Sequence, residues 1–135
     1  MRVLLLGSTG NLGSRCLPAL LAHKHIVTVL VRNPSKFRSI NSPSLLEQVN
    51  AIVEGDATDS ALIQKTLLDH NMEGFIDVAG NQVLPWKPYV LHRIAEAAVV
   101  AAVAVGNQRG KPLRAWITSA IGVLEDPGTG HLFED

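Results

Sequence analysis
The stretch Leu4–Arg15, LLLGSTGNLGSR, sets Gly7, Gly10 and Gly13 at three-residue intervals directly behind an apolar run. A short, continuously apolar run ended by glycine reads as a strand buried on both faces, here Val3–Leu6. Behind the glycines, Asn11–His23 has helical spacing, with Leu12, Cys16 and Leu20 on one stripe and Leu17 and Leu21 beside it. Pro18 removes a backbone bond inside that helix and should kink it. The glycines meet three steric needs. Gly7 allows a tight exit from the strand, Gly10 lets a ligand approach the backbone, and Gly13 lets the helix lie close to the sheet. The helix N-terminus adds a field that favours negative charge, so the turn predicts a bound phosphate.

Working outward, the alternation continues. Ile26–Val31 (IVTVLV) is β-branched and apolar, a second buried strand. Asn33 then offers an N-cap with Pro34 at the first helical position, and Ser44 with Glu47 has the spacing of a capping box. Ala51–Val53 is a third strand, followed by a helix capped by Thr58 or Asp59. Phe75–Ala79 is a fourth, in which Asp77 is expected to sit near the strand end or to find a partner. Tyr89–Val105 is an alanine-rich helix that stops at GNQRGKP, and Ala115–Thr118 is a fifth strand with Trp116 in the core. Strand and helix in turn predict an α/β fold, a Rossmann-type doubly wound parallel sheet of five strands. Residues 1–135 form one expected domain, with 120–135 a loop-rich tail.

Composition narrows the function classes. Hydrophobic residues make up 47% and charged residues 18%, which is globular rather than disordered. A formal net charge of zero argues against general binding to nucleic acid or a membrane surface. The sum hides a basic front end, since no Asp or Glu precedes Glu47 while Arg2, Arg15, Lys24, Arg32, Lys36 and Arg38 do. The lone Cys16 reads as core, forms no internal disulfide and fits a reducing compartment, so a soluble, cytoplasmic protein is expected. The longest nearly apolar stretch, Ile94–Val105, is shorter than the roughly 20 residues a membrane helix needs. His23 and His25 alternate at a helix–strand junction, and His70, His92 and His131 show no ligand spacing, so no metal is expected.

The end of the second strand distinguishes cofactors. An acid there would receive the ribose 2′-hydroxyl of NAD, whereas an arginine accommodates the 2′-phosphate of NADP. This chain has Arg32, with Lys36 four residues on. Cations supply charge-assisted bonds to a phosphate, so NADP is expected in preference to NAD.

MRVLLLGSTGNLG, TVLVRNPSKF, VEGDATD and WITSAIGVLEDP, taken in order, resemble the atypical short-chain dehydrogenase/reductase superfamily, in particular its NmrA-like and flavin/biliverdin reductase-like NAD(P)-binding proteins. The resemblance runs from Met1 to about Pro127. It implies that Ser8, Thr9, Asn11 and Leu12 line the phosphate loop beside the glycines and that Asp56 and Ala57 meet the adenine. It further implies that Ala79 and Gly80 border the nicotinamide ribose, with Thr118 and Ser119 beside the nicotinamide. The Tyr-x-x-x-Lys pair of typical members is absent, because Tyr89, the one tyrosine, is followed four residues later by Arg93. Relatives also continue beyond the fifth strand, so the chain reads as C-terminally shortened, and an uncovered edge there would favour self-association into a homo-oligomer. The implied activity is reduction of a small carbonyl or conjugated substrate by NADPH, with Ser119 orienting that substrate. A non-catalytic NADP-responsive regulator and a non-redox isomerase or cyclase are the alternatives.

Overall fold
The computed structural model of the chain describes residues 1–80 and 90–118. In chain order the elements are β1 (Arg2–Leu6), α1 (Gly13–Ala22), β2 (Ile26–Val31), α2 (Pro34–Ile40), α3 (Pro43–Leu46), β3 (Ala51–Glu54), α4 (Ser60–Asp69), β4 (Gly74–Asp77), α5 (Leu91–Arg109) and β5 (Arg114–Ile117). The five strands form one sheet in the order β3-β2-β1-β4-β5, and every pairing is parallel. This is a Rossmann-like α/β fold whose strand order reverses beside β1, at the glycine turn.

Strand alternation divides the core into two layers. Leu4 and Leu6 of β1 face α4 and α5, packing with Ile63, Leu67, Phe75 and the alanine face of α5. Leu5 faces the other way, with Val27, Val29 and Val31 of β2, Leu17 and Leu21 of α1, and Phe37 of α2. Period-two alternation thus seats one helical layer on each face. Thr28, buried in β2, accepts a hydrogen bond from Asn50 Nδ2 at 3.0 Å, which satisfies its hydroxyl oxygen. At the far end of the molecule from the glycine turn, Arg109 donates to the carbonyls of Met72 (2.6 Å) and Leu67 (3.0 Å), tying the end of α5 to the end of α4.

Several local expectations change. In α1 the buried stripe is Gly13, Leu17 and Leu21, whereas Leu12 is exposed and Cys16 and Leu20 are half-buried. The close approach required at Gly13 rotates the helix so that the glycine, not Leu12, faces the strand. The helix continues through Pro18, which lies on its exposed side. The cap of α3 is Ser42, which accepts from the Leu45 N–H at 3.3 Å, with Pro43 at the first position. Ser44 therefore lies inside the helix, and the Ser44–Glu47 capping box does not form. Asp59, rather than Thr58, caps α4 by accepting from the Leu62 N–H at 3.1 Å.

Helix α5 runs past Gly106 to Arg109 and ends on Gly110 in the left-handed conformation, at φ +68°. Gly106 is buried, with backbone of the returning chain at Lys111–Pro112 close by, so a glycine suits packing there without ending the helix. Trp116 is 46% exposed rather than core, because β5 pairs with β4 alone among the described strands. No helix of the described residues is long and apolar enough to cross a membrane.

Candidate functional site
The carboxyl ends of β1, β2, β3 and β4 and the first turn of α5 enclose a cleft of about 440 Å³. The glycine turn forms its base. Gly7 has φ +84°, and a Cβ at this position would stand 2.4 Å from the Ala79 nitrogen, so only glycine fits. A Cβ on Gly13 would fall 1.9 Å from the Gly7 carbonyl oxygen, which shows how tightly α1 closes on the turn. Gly10 is exposed and its Cβ would meet nothing nearer than 3.3 Å, so the protein's own packing demands glycine there less strictly. Its N–H donates to the Gly7 carbonyl at 3.1 Å and holds the turn shut.

Two features leave donors at the turn. Ser8 is 1% exposed, and its hydroxyl is buried with no hydrogen-bond partner among the described residues. An unpaired buried hydroxyl costs about 1–3 kcal/mol, a penalty that a ligand oxygen would remove. Helix α1 begins at Leu12 and Gly13 with no side-chain cap and no acid in its first turn. Its leading amides therefore keep the partial positive charge of a helix start. Both features fit the pyrophosphate of a dinucleotide.

The β2 end supplies Arg32, exposed and lining the cleft. The β3 end supplies Asp56, whose Oδ1 accepts from the Thr58 N–H at 2.9 Å and the Thr58 hydroxyl at 2.8 Å. Those two bonds hold its carboxyl below the usual carboxylate range, with the Arg32 and Arg93 charges helping and slight burial opposing. Across the cleft, Asp77 ends β4 buried, and burial pushes its carboxyl up while the bond it accepts from the Ala79 N–H, at 3.0 Å, pulls down. Asp77 shapes the turn that delivers Ala79 and Gly80 to the cleft wall, so it both ends the strand and has a partner.

Of the residues singled out in the sequence, Gly7, Ser8, Thr9 and Gly10 line the cleft, as do Arg32, Asp56, Ala57, Ala79 and Gly80. Asn11, Leu12 and Gly13 lie just beyond the lining, where α1 starts. Lys36 is exposed on α2, where its backbone N–H donates to the Asn33 cap at 3.0 Å, and it does not reach the lining. Thr118 is exposed after β5, its N–H donating to the Asp77 carbonyl at 2.9 Å, and it also lies outside the lining. Ser119, like Tyr89, falls outside the described residues. Sequence reading missed Thr58, Val90, Arg93 and Ile94, which the fold brings to the same cleft. Thr58 was legible in principle, since Asp56 two residues earlier makes an Asx turn. The described residues contain no cluster of three or more metal-ligating side chains.

Comparison with known proteins agrees with this geometry. The profile of NAD(P)H-binding domains matches residues 7–132. No curated protein matches in sequence at a significant level. Among solved structures, a protein of Lactobacillus casei is 22% identical with a TM-score of 0.71, the match covering 99% of this chain and 55% of that one. Leucoanthocyanidin reductase of Vitis vinifera, in a binary complex with NADPH, is 26% identical with a TM-score of 0.61, over 78% of this chain and 33% of that one. The enzyme WbmH of Bordetella bronchiseptica, in complex with NAD+, is 22% identical with a TM-score of 0.57, over 75% and 34%. The chain thus spans between a third and just over half of the length of these structures.

Proposed function
The chain belongs to the NAD(P)H-binding family, and from that premise we propose that it binds NADP(H) and serves as an atypical short-chain reductase acting on a small carbonyl or conjugated substrate. The observation that carries the reading is the buried, unpartnered hydroxyl of Ser8, set in a glycine turn at the base of a cleft that also holds Arg32. A phosphate oxygen would satisfy that hydroxyl, and the uncapped start of α1 would bind the pyrophosphate beside it. Thr9 and Gly10 line the same wall, with Asn11, Leu12 and Gly13 supplying backbone behind them.

Arg32 receives the 2′-phosphate at the end of β2, where an NAD-selective site would place an acid. Lys36, one turn into α2, adds to the field without touching the lining. Asp56 and Ala57 border the adenine, and Ala79 and Gly80 border the nicotinamide ribose. By the family resemblance Thr118 and Ser119 are assigned to the nicotinamide side, with Ser119 orienting the substrate. When bound, the reduced nicotinamide supplies the hydride, and the residues of this chain bind and orient.

Calorimetric titration of the protein with NADPH and NADH, beside Arg32→Glu, tests the reading. The wild type is expected to prefer NADPH by about tenfold or more, a preference the variant loses. Equal affinity for both nucleotides would overturn NADP selectivity. Binding of neither would overturn the cofactor site itself.

A further inference from the structure
We infer that Arg93 is the adenine wall of the cleft, its guanidinium plane lying on the base of the bound nucleotide while Arg32 serves the ribose phosphate. The inference rests on the nucleotide reading above and adds a division of labour between the two arginines. Val90, Arg93 and Ile94 all line the cleft. They sit at i, i+3 and i+4 at the start of α5, hence on one helix face. Ala57 and Thr58 face the same space from the β3 end.

The two ends of the cleft therefore differ in chemistry. Near Gly7 and Gly10 it offers backbone and a free hydroxyl, which suits phosphate oxygens. Near Arg93 it offers the apolar side chains of Ala57, Val90 and Ile94, with Asp56 at the edge. An apolar surface with a carboxylate at its margin suits a flat heteroaromatic ring that carries an amino group. Thr58 occupies Asp56 Oδ1 twice, and Oδ2 accepts no hydrogen bond among the described residues, leaving an acceptor for such an amine.

Charge places the phosphate at Arg32 rather than at Arg93. Arg93 also borders an adjoining hollow with Glu96, Thr58 and Ser60, so a dianion beside it would meet the charge of Glu96. Arg32, at the end of β2, does not border that hollow. Arg93 is exposed and makes no hydrogen bond or ion pair with another described residue, so its plane is available to a ligand. None of the described lining residues is aromatic. A guanidinium stacks on aromatic faces, and here it is the planar group at the apolar end.

The test is calorimetric titration of wild type, Arg93→Ala, Arg93→Lys and Arg32→Ala with NADPH and with NADH, each variant first checked for an unchanged melting curve. Arg93→Ala is expected to weaken both nucleotides by the same factor, about two- to thirtyfold, leaving their ratio unchanged. Arg32→Ala is expected to weaken NADPH alone. Arg93→Lys keeps the charge but loses the plane, and is expected to recover little of the loss. Unchanged affinity in Arg93→Ala, a loss confined to NADPH, or full recovery with lysine would each overturn the inference while leaving the nucleotide reading intact. A wild type that binds neither nucleotide would overturn both.

Discussion

Strands β1 and β5 are both short, parallel and apolar for most of their length, yet their environments are opposite. Leu4, Leu5 and Leu6 of β1 are fully buried, while Trp116 and Ile117 of β5 are 46% and 43% exposed. Strand β1 pairs on both edges and carries a helical layer on each face; β5 pairs with β4 alone among the described strands. Burial is thus a property of position in the sheet order, which short apolar sequences such as VLLL and AWI do not themselves encode. The nucleotide cleft inherits this difference, because its glycine turn leaves the most deeply buried strand of the sheet.

Leu5→Ala and Trp116→Ala put that contrast to its strongest test. Leu5→Ala should cost about 2–5 kcal/mol by urea denaturation, since α1, α2 and β2 hold the surrounding structure in place around the cavity. Trp116→Ala should cost under about 1 kcal/mol. Comparable losses would mean that β5 is covered in solution, as by self-association, and would erase the contrast.

Ser8→Ala sharpens it at the turn, with two effects of opposite sign. Removing a buried hydroxyl that has no partner should raise unfolding free energy by about 1 kcal/mol, while affinity for NADPH falls about fivefold. A loss of stability would show that the hydroxyl is satisfied in the free protein.

The smallest effect belongs to Asp77, where β4 leaves the core. Its carboxyl is raised by burial, so the folded chain holds the proton more tightly than the unfolded chain, and stability falls as pH rises from the unfolded carboxyl pKa through the folded one. Asp77→Asn keeps an oxygen for the Ala79 N–H without the charge. It should therefore melt higher than wild type at neutral pH, with the gap closing as pH drops to about 3. A gap independent of pH would remove burial of the charge as the cause.

Much of the fold was legible because its signals are local and repeated. The strand–helix alternation, the glycine spacing and the Asn33–Pro34 start of α2 each depend on a few neighbouring residues. Gly7 and Gly13 were legible for the same reason, being demanded by contacts within the turn and the adjacent β4 exit. What sequence could not supply was set by distant packing. Whether Ser42 or Ser44 caps α3 depends on where the chain enters the helix. Whether Gly106 ends α5 depends on the segment folding back against it at Lys111–Pro112. Arg93 was noticed only for occupying the position where a lysine would complete a catalytic pair. Its place beside Asp56 arises because α5 starts at the end of β4 and packs on α4, two facts absent from its sequence neighbourhood.

The bonds from Arg109 to Leu67 and Met72 pin the far end of α5. The helix has 19 residues and is about 28 Å long, clamped to α4 at one end while its other end forms the cleft wall through Val90, Arg93 and Ile94. Ile94, Ala97, Ala98, Ala101, Ala102 and Val105 seat the helix in the core along its length, so α5 is a stiff rod running from the clamp to the cleft wall. Loosening the clamp at Arg109 then reaches the cleft from the far side of the molecule without altering any residue that lines it.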